Sequence, residues 1–209
     1  MKIKNKTPKV DEQKHRHLIA NSWTPIREPE NPVWIILISI PFMVLNALVV
    51  IGVLKLFSTF SLSEFGISFP PESIVITVNL GVLFLILMMI VVHELLHLVF
   101  VPGFMKSNKT FIGLTWFGGY VMTEEVLSRG RFMLITAAPF VTLSVLLPIV
   151  LSLLGILTPV MKALILLNAI ASSVDALSFL LLVTKVPRNT VLIHNGTKTY
   201  WKYKIEQQA

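Results

Sequence analysis

Four long apolar blocks divide the chain, at residues 33–54, 74–101, 132–157 and 160–183. A helix rises about 1.5 Å per residue, so roughly twenty residues cross a hydrocarbon core of about 30 Å. Each block is long enough to span. Pro41 is expected to kink the first block, and Pro139 and Pro148 to break the third, because proline lacks a backbone donor and crowds the preceding turn. Thr158 and Pro159 predict a tight turn before the fourth block. Trp34, at the start of the first, suits a membrane interface.

The stretches between the blocks have a different period. Residues 1–32 are polar, and Pro25, Pro29 and Pro32 argue against a long helix ahead of the first span. The first apolar block starts too late and runs too long for a signal peptide. Residues 102–131 are punctuated by Gly103, Gly113, Gly118 and Gly119. Between these glycines lie the runs Thr110-Phe111-Ile112 and Leu114-Thr115-Trp116-Phe117, which predict one or two short β-hairpins. In the tail, residues 190–194 and 197–203 flank Asn195-Gly196, which reads as a β-hairpin with a type I′ turn. The expected fold is an all-α membrane protein with about four transmembrane helices and short β-hairpins in the 102–131 loop and the C-terminal tail. It divides into a basic N-terminal segment (1–32), a membrane domain (33–184) and a tail (185–209).

Composition agrees with this pattern. Of 209 residues, 54% are apolar and only 14% are charged, against about 25% charged in an ordinary soluble domain. With no cysteine, a disulfide framework, a Cys-ligated metal and a Cys nucleophile are excluded. The net charge of +7 comes from Lys and Arg outside the spans. That placement points to contact with anionic lipid and not to nucleic acid. Seven of these cations lie in residues 1–32, four in 102–131, five in 185–209 and none in the linker 58–72. The positive-inside rule therefore places both termini and the 102–131 loop in the cytoplasm, in a multi-pass protein of the cell membrane.

One cluster of residues near the end of the second block carries chemistry. His93-Glu94-Leu95-Leu96-His97 is a His-Glu-x-x-His motif. Residues four apart share a helical face, so both imidazoles can reach one metal ion, and Glu94 stands beside it as a candidate general base. Two histidines and a glutamate inside an apolar span are costly unless they have partners. The plain alternative is a pair of satisfied core histidines. A catalytic zinc takes three protein ligands and keeps one position open. Away from the span ends, the one other ionisable residue in the blocks is Asp175, and the topology puts it at a depth similar to His97. Asp175 is the candidate third ligand, the alternative being a partner hydroxyl or lysine. In a tetrahedral zinc site its carboxylate would lie about 3–4 Å from the imidazole nitrogens.

Asn168, Ser172 and Asp175 are spaced to share one helix face, with small Ala169, Ala171, Ser173 and Ala176 around them. Asn168 suits either a developing oxyanion and substrate carbonyl or interhelical hydrogen bonding. Ser172 is a candidate support beside the ligands. Glu124 and Glu125 read as solvated carboxylates, with metal ligation or gating as the alternative. His194 reads as a strand residue, and His15 and His17 as a solvated, lipid-facing surface.

A His-Glu-x-x-His on a membrane helix, a glycine-punctuated loop with strand-like runs and a late Asn-x-x-x-Ser-x-x-Asp helix together resemble the putative zincin peptidase family of small bacterial membrane proteins. More distantly they resemble the site-2 protease group of intramembrane metalloproteases. Where that group usually has Asp-Gly, this chain has Asp175-Ala176. The resemblance covers roughly residues 75–185. It implies a zinc-dependent peptidase with an active site inside the membrane. The expected function is hydrolysis of peptide bonds in membrane or membrane-proximal proteins. His93, His97 and Asp175 would hold Zn²⁺, and Glu94 would act as general base on metal-activated water. An extended substrate would add as a strand to the 110–121 hairpin. The alternatives are a non-catalytic metal-binding protein acting as partner or regulator, for which Glu124 or Asn168 would close the metal site, and a transporter, which four helices without an evident repeat fit poorly.

Overall fold

The computed structural model describes residues 2–3, 9–29, 31–61, 80–115 and 118–204. The chain begins with β1 (Lys2–Ile3), α1 (Glu12–Ala20) and β2 (Thr24–Pro25), then the long helices α2 (Pro32–Phe57) and α3 (Leu80–Val99). A hairpin of β3 (Thr110–Thr115) and β4 (Gly118–Thr123) follows, then β5 (Leu127–Ser128) and α4 (Arg129–Pro139). A π-helical stretch, Phe140–Leu146, joins α4 to α5 (Leu147–Leu153). The chain continues through α6 (Pro159–Ala171) and α7 (Ser173–Lys185) to the strands β6 (Thr190–Asn195) and β7 (Lys198–Tyr203). Glu64 and Glu72 of the linker, residues 74–79 of the second block, and Trp116 and Phe117 lie outside the described residues.

Three helices are long and apolar enough to cross a membrane, Val33–Phe57, Leu80–Val99 and Arg129–Leu153. The chain is therefore an all-α membrane protein with short strands outside its spans. The fourth block departs from the expected single helix. It is two helices, α6 and α7, bent by 41° and meeting at Ser172, and together they make a fourth span if the pair counts as one. Ser172 ends α6, and its hydroxyl donates to the Asn168 carbonyl at 2.9 Å. The break falls at Ser172 itself, whose ψ of 7° departs from the helical value of about −42°.

The third block is less broken than its prolines predict. Pro148 sits in the first turn of α5, where a missing donor costs little. The wider π-helical turns between Pro139 and Pro148 keep the rod continuous. In α2, Asn31 accepts from the Val33 N–H at 2.9 Å and Pro32 fills the first turn, so the helix starts where the apolar block does.

Inside the bundle, α2 packs on α6 through Val50, Leu54, Ile165 and Ala169. Asn46 donates to the Ala169 carbonyl at 3.0 Å, which satisfies a polar group deep in the apolar layer. The outer surface is apolar, with Trp34, Leu48, Phe84 and Leu153 exposed. In a membrane protein this surface meets lipid.

One end of the bundle carries two small sheets. Their strand orders are β1-β3-β4 and β2-β7-β6-β5. Ile26, Leu182, Val186 and Leu192 form the core beneath the second sheet, so the residue after β2 and a residue of β6 together bury the end of α7. Helix α1 docks on the tail hairpin through paired polar bonds. Asp11 N–H donates to Asn195 Oδ1 at 3.0 Å, and Asn195 Nδ2 donates to the Asp11 carbonyl at 2.8 Å. His15 departs from the lipid-facing expectation, because its Nδ1 lies 2.7 Å from the Tyr200 hydroxyl. His17 remains exposed. The tail hairpin also differs in detail. Asn195 pairs with Lys198, so the loop is Gly196-Thr197, and Gly196 at φ +55° has the loop's positive φ. Glycine with positive φ at the first loop position makes a type II′ turn and not type I′. A Cβ on Gly196 would also collide with the Lys9 backbone.

Candidate metal centre

His93, Glu94 and His97 occupy the last two turns of α3, at the end of the bundle that carries the sheets. Asp175 lies in the first turn of α7, just past the bend at Ser172. A carboxylate is favoured near a helix N-terminus. The bend thus gives Asp175 a helix start inside the apolar layer.

These side chains converge. His93 Nε2 lies 3.3 Å from Asp175 Oδ2, and His97 Nε2 lies 3.4 Å from Asp175 Oδ1. One ligand atom from each of the three residues lies within 4.8 Å of the others, the arrangement of a metal-binding cluster. Metal–ligand bonds of about 2.0–2.1 Å at tetrahedral angles hold neighbouring ligand atoms roughly 3.3–3.4 Å apart.

The far side of each ring is also held. His93 Nδ1 donates to Asn168 Oδ1 at 2.9 Å, and His97 Nδ1 donates to the Ile135 carbonyl at 2.8 Å. A ring whose Nδ1 keeps its proton in these bonds can offer the Nε2 lone pair to a metal ion. Two such nitrogens and a carboxylate at these distances can hold a cation among them. Histidine ligands to metals are usually oriented this way through the other ring nitrogen. The residues present therefore fit a divalent metal ion.

Asn168 is fully buried on α6. Besides accepting from His93, it donates through Nδ2 to Ser144 Oγ at 2.9 Å and to the Pro139 carbonyl at 3.4 Å. Its amide is engaged within the protein on both sides. Ser172, the other candidate support, bonds the α6 backbone. Glu94 packs against the β3–β4 hairpin. A Cβ built on Gly119 of β4 would lie 2.7 Å from Glu94 Oε1, so a side chain at this position would push the Glu94 carboxylate from its present place.

The remaining candidates lie apart from this cluster. Glu124, just after β4, pairs with Lys14 of α1 at 2.6 Å, and that lysine also donates to the His194 carbonyl at 3.1 Å. Glu125 accepts from Ser107 Oγ at 2.8 Å. His194 is in β6, as a strand reading requires, with its ring 5.1 Å from that of Phe132. Burial pushes the His194 imidazole down to about 4. Burial also pushes the Glu28 carboxyl up to about 7, against hydrogen bonds from Thr199 that favour the charged form.

Four participants escaped sequence reasoning: the Ile135 carbonyl, the Pro139 carbonyl, Ser144 and Gly119. Two are backbone groups with no residue signature. Ser144 is an ordinary small polar residue in an apolar block. Gly119 stood out as a loop glycine, but only the fold places it against Glu94.

A membrane helix bundle with a His/His/Asp cluster is a membrane protein with a metalloenzyme-like site. The chain belongs to the family described as "putative zincin peptidase", whose model matches residues 86–191, about half the chain. That span includes His93, Glu94, His97, Asn168 and Asp175. Neither a curated protein nor a solved structure gives a significant match.

Proposed function

We propose that this protein is a membrane-embedded zinc metallopeptidase that cleaves peptide bonds in membrane or membrane-proximal proteins. The observation that carries this reading is the meeting of His93, His97 and Asp175 from two separate helices, with both rings turned by acceptors on their far sides. Two imidazoles and one carboxylate suit zinc. When bound, the ion would polarise the scissile carbonyl and make a water acidic enough to attack near neutral pH.

The chain's own residues do the rest. Glu94 takes a proton from the attacking water and later delivers it to the leaving amine. Asn168 and the Ile135 carbonyl keep the two imidazoles in the tautomer that presents Nε2. This role for Asn168 replaces contact with an oxyanion, because its Nδ2 is already spent on Ser144 and Pro139. Strand β4 ends its sheet order beside Glu94. An extended substrate adding to this strand would bring a peptide bond near the carboxylate. The Lys and Arg distribution supports a cytoplasmic placement of both termini and of the sheet-bearing end, so water and substrate enter from that side.

The test is Glu94→Gln in full-length protein reconstituted in liposomes with a membrane-anchored peptide substrate. Cleavage should fall by about 10²–10⁴, zinc content should hold, and a chelator should abolish wild-type activity. Undiminished turnover in Glu94→Gln would remove the base assignment. Chelator-resistant cleavage would remove the metallopeptidase reading.

A further inference from the structure

A second site lies where α4 begins and α7 ends. Here a cleft of about 540 Å³ opens between the two helices, lined by Arg129, Lys185 and Arg188 together with Met133, Val183 and Pro187. Arg129 is the first residue of the apolar rod and Lys185 the last of α7. The cleft therefore sits where the apolar spans stop, at headgroup depth.

Its charge is one-sided. Among the described residues the ion pairs are Lys14–Glu124 and the His–Asp contacts of the metal centre. None of them involves Arg129, Lys185 or Arg188. Arg129 is also fixed in place. Its Nε and Nη2 donate to the Leu182 carbonyl at 3.3 Å, and Nη2 also reaches the Val183 carbonyl at 3.3 Å. These are last-turn carbonyls that α7 itself cannot satisfy. A positioned guanidinium and two exposed cations thus line one cleft that no carboxylate lines. Val183, 45% exposed, continues the cleft's wall into the apolar surface of the bundle.

We infer that this cleft binds an anionic phospholipid, with its phosphate among Arg129, Lys185 and Arg188 and its glycerol and first methylenes along Val183 and Met133. Charge complementarity selects an anion. The apolar wall, and its continuity with the lipid-facing surface, select a lipid over a soluble phosphate. Helix α7 carries Asp175, and α4 carries the Ile135 carbonyl that holds His97. A lipid bridging the two helix ends would tie together the elements that set the metal centre. Lipid binding itself does not depend on the peptidase reading.

The test uses full-length protein in nanodiscs of phosphatidylcholine, alone or mixed with phosphatidylglycerol. Lipid retention is read by native mass spectrometry and stability by thermal unfolding. Lys185 and Arg188 are exposed, so the double variant K185Q/R188Q should fold. Wild type should retain phosphatidylglycerol and melt higher in its presence. K185Q/R188Q should bind it about thirtyfold more weakly, at roughly one kcal/mol per cation. The control K106Q/K109Q, which removes two exposed cations elsewhere, should bind like wild type. Equal retention by K185Q/R188Q and wild type would overturn the site. So would an equal loss in the control, which would mean general surface charge. An equal melting shift with inorganic phosphate in phosphatidylcholine discs would overturn the lipid assignment.

Discussion

Asn168 accepts a hydrogen bond from His93 Nδ1 at 2.9 Å, and it does so from a position with no exposed surface. The bond joins α6 to α3 and turns the imidazole so that Nε2 faces Asp175. Removing such a partner from a metal-ligating histidine typically costs 10–100-fold in metal affinity or activity.

Asn168→Ala should therefore weaken zinc binding by about 10–100-fold, measured by competition with a chelator of known affinity. Asn168→Asp keeps an acceptor for His93 Nδ1 and should retain more affinity than the alanine variant. If Asn168 instead touched only the transition state, Asn168→Ala would keep full zinc affinity and lose turnover alone.

Gly119 and Glu94 make a second prediction. A methyl group at position 119 cannot coexist with the present Glu94 carboxylate. A displacement of about 1 Å at a catalytic group can cost about a hundredfold in rate. Gly119→Ala should lower turnover by about that factor while zinc content stays at the wild-type level. Unchanged turnover would mean that Glu94 does not need its seat against β4.

The sheet-bearing end should show opposed pH dependences. Glu28 ionises near 4.5 in the unfolded chain but near 7 when folded. Between these values the folded state holds a proton that the unfolded state has released, so this group makes stability fall as pH rises. His194 titrates near 6.5 unfolded and near 4 folded. It contributes stability above about 6.5, which is lost as pH falls toward 4. Each slope is at most about 1.4 kcal/mol per pH unit. Glu28→Gln should therefore show stability rising with pH across this window, and His194→Asn should show it falling. Denaturation midpoints measured against pH in detergent check both signs. Parallel curves for the two variants would contradict the assignment.

Much of the site is legible because its signals are local. The i, i+4 spacing of His93 and His97 requires only a helix. Asp175 stands out as an ionisable residue in an apolar block. What escapes is non-local. Asn168 and Asp175 look like face-mates on one helix, yet the chain bends at Ser172 between them, and no proline or glycine announces the bend. The two terminal segments read separately as a basic stretch and a hairpin. The reciprocal bonds of Asp11 and Asn195 join them through contacts between residues far apart in sequence. The hairpin turn is shifted by one residue because pairing of Asn195 with Lys198 moves the loop to Gly196-Thr197.

The account rests on one metal ion shared by α3 and α7, and metal content tests it most directly. Purified full-length wild type and Asp175→Ala, both dialysed against the same buffered zinc, would be compared by elemental analysis. Wild type should carry about one zinc per chain, and Asp175→Ala should carry a small fraction of that. Equal zinc in the two proteins, or none in either, would contradict the account.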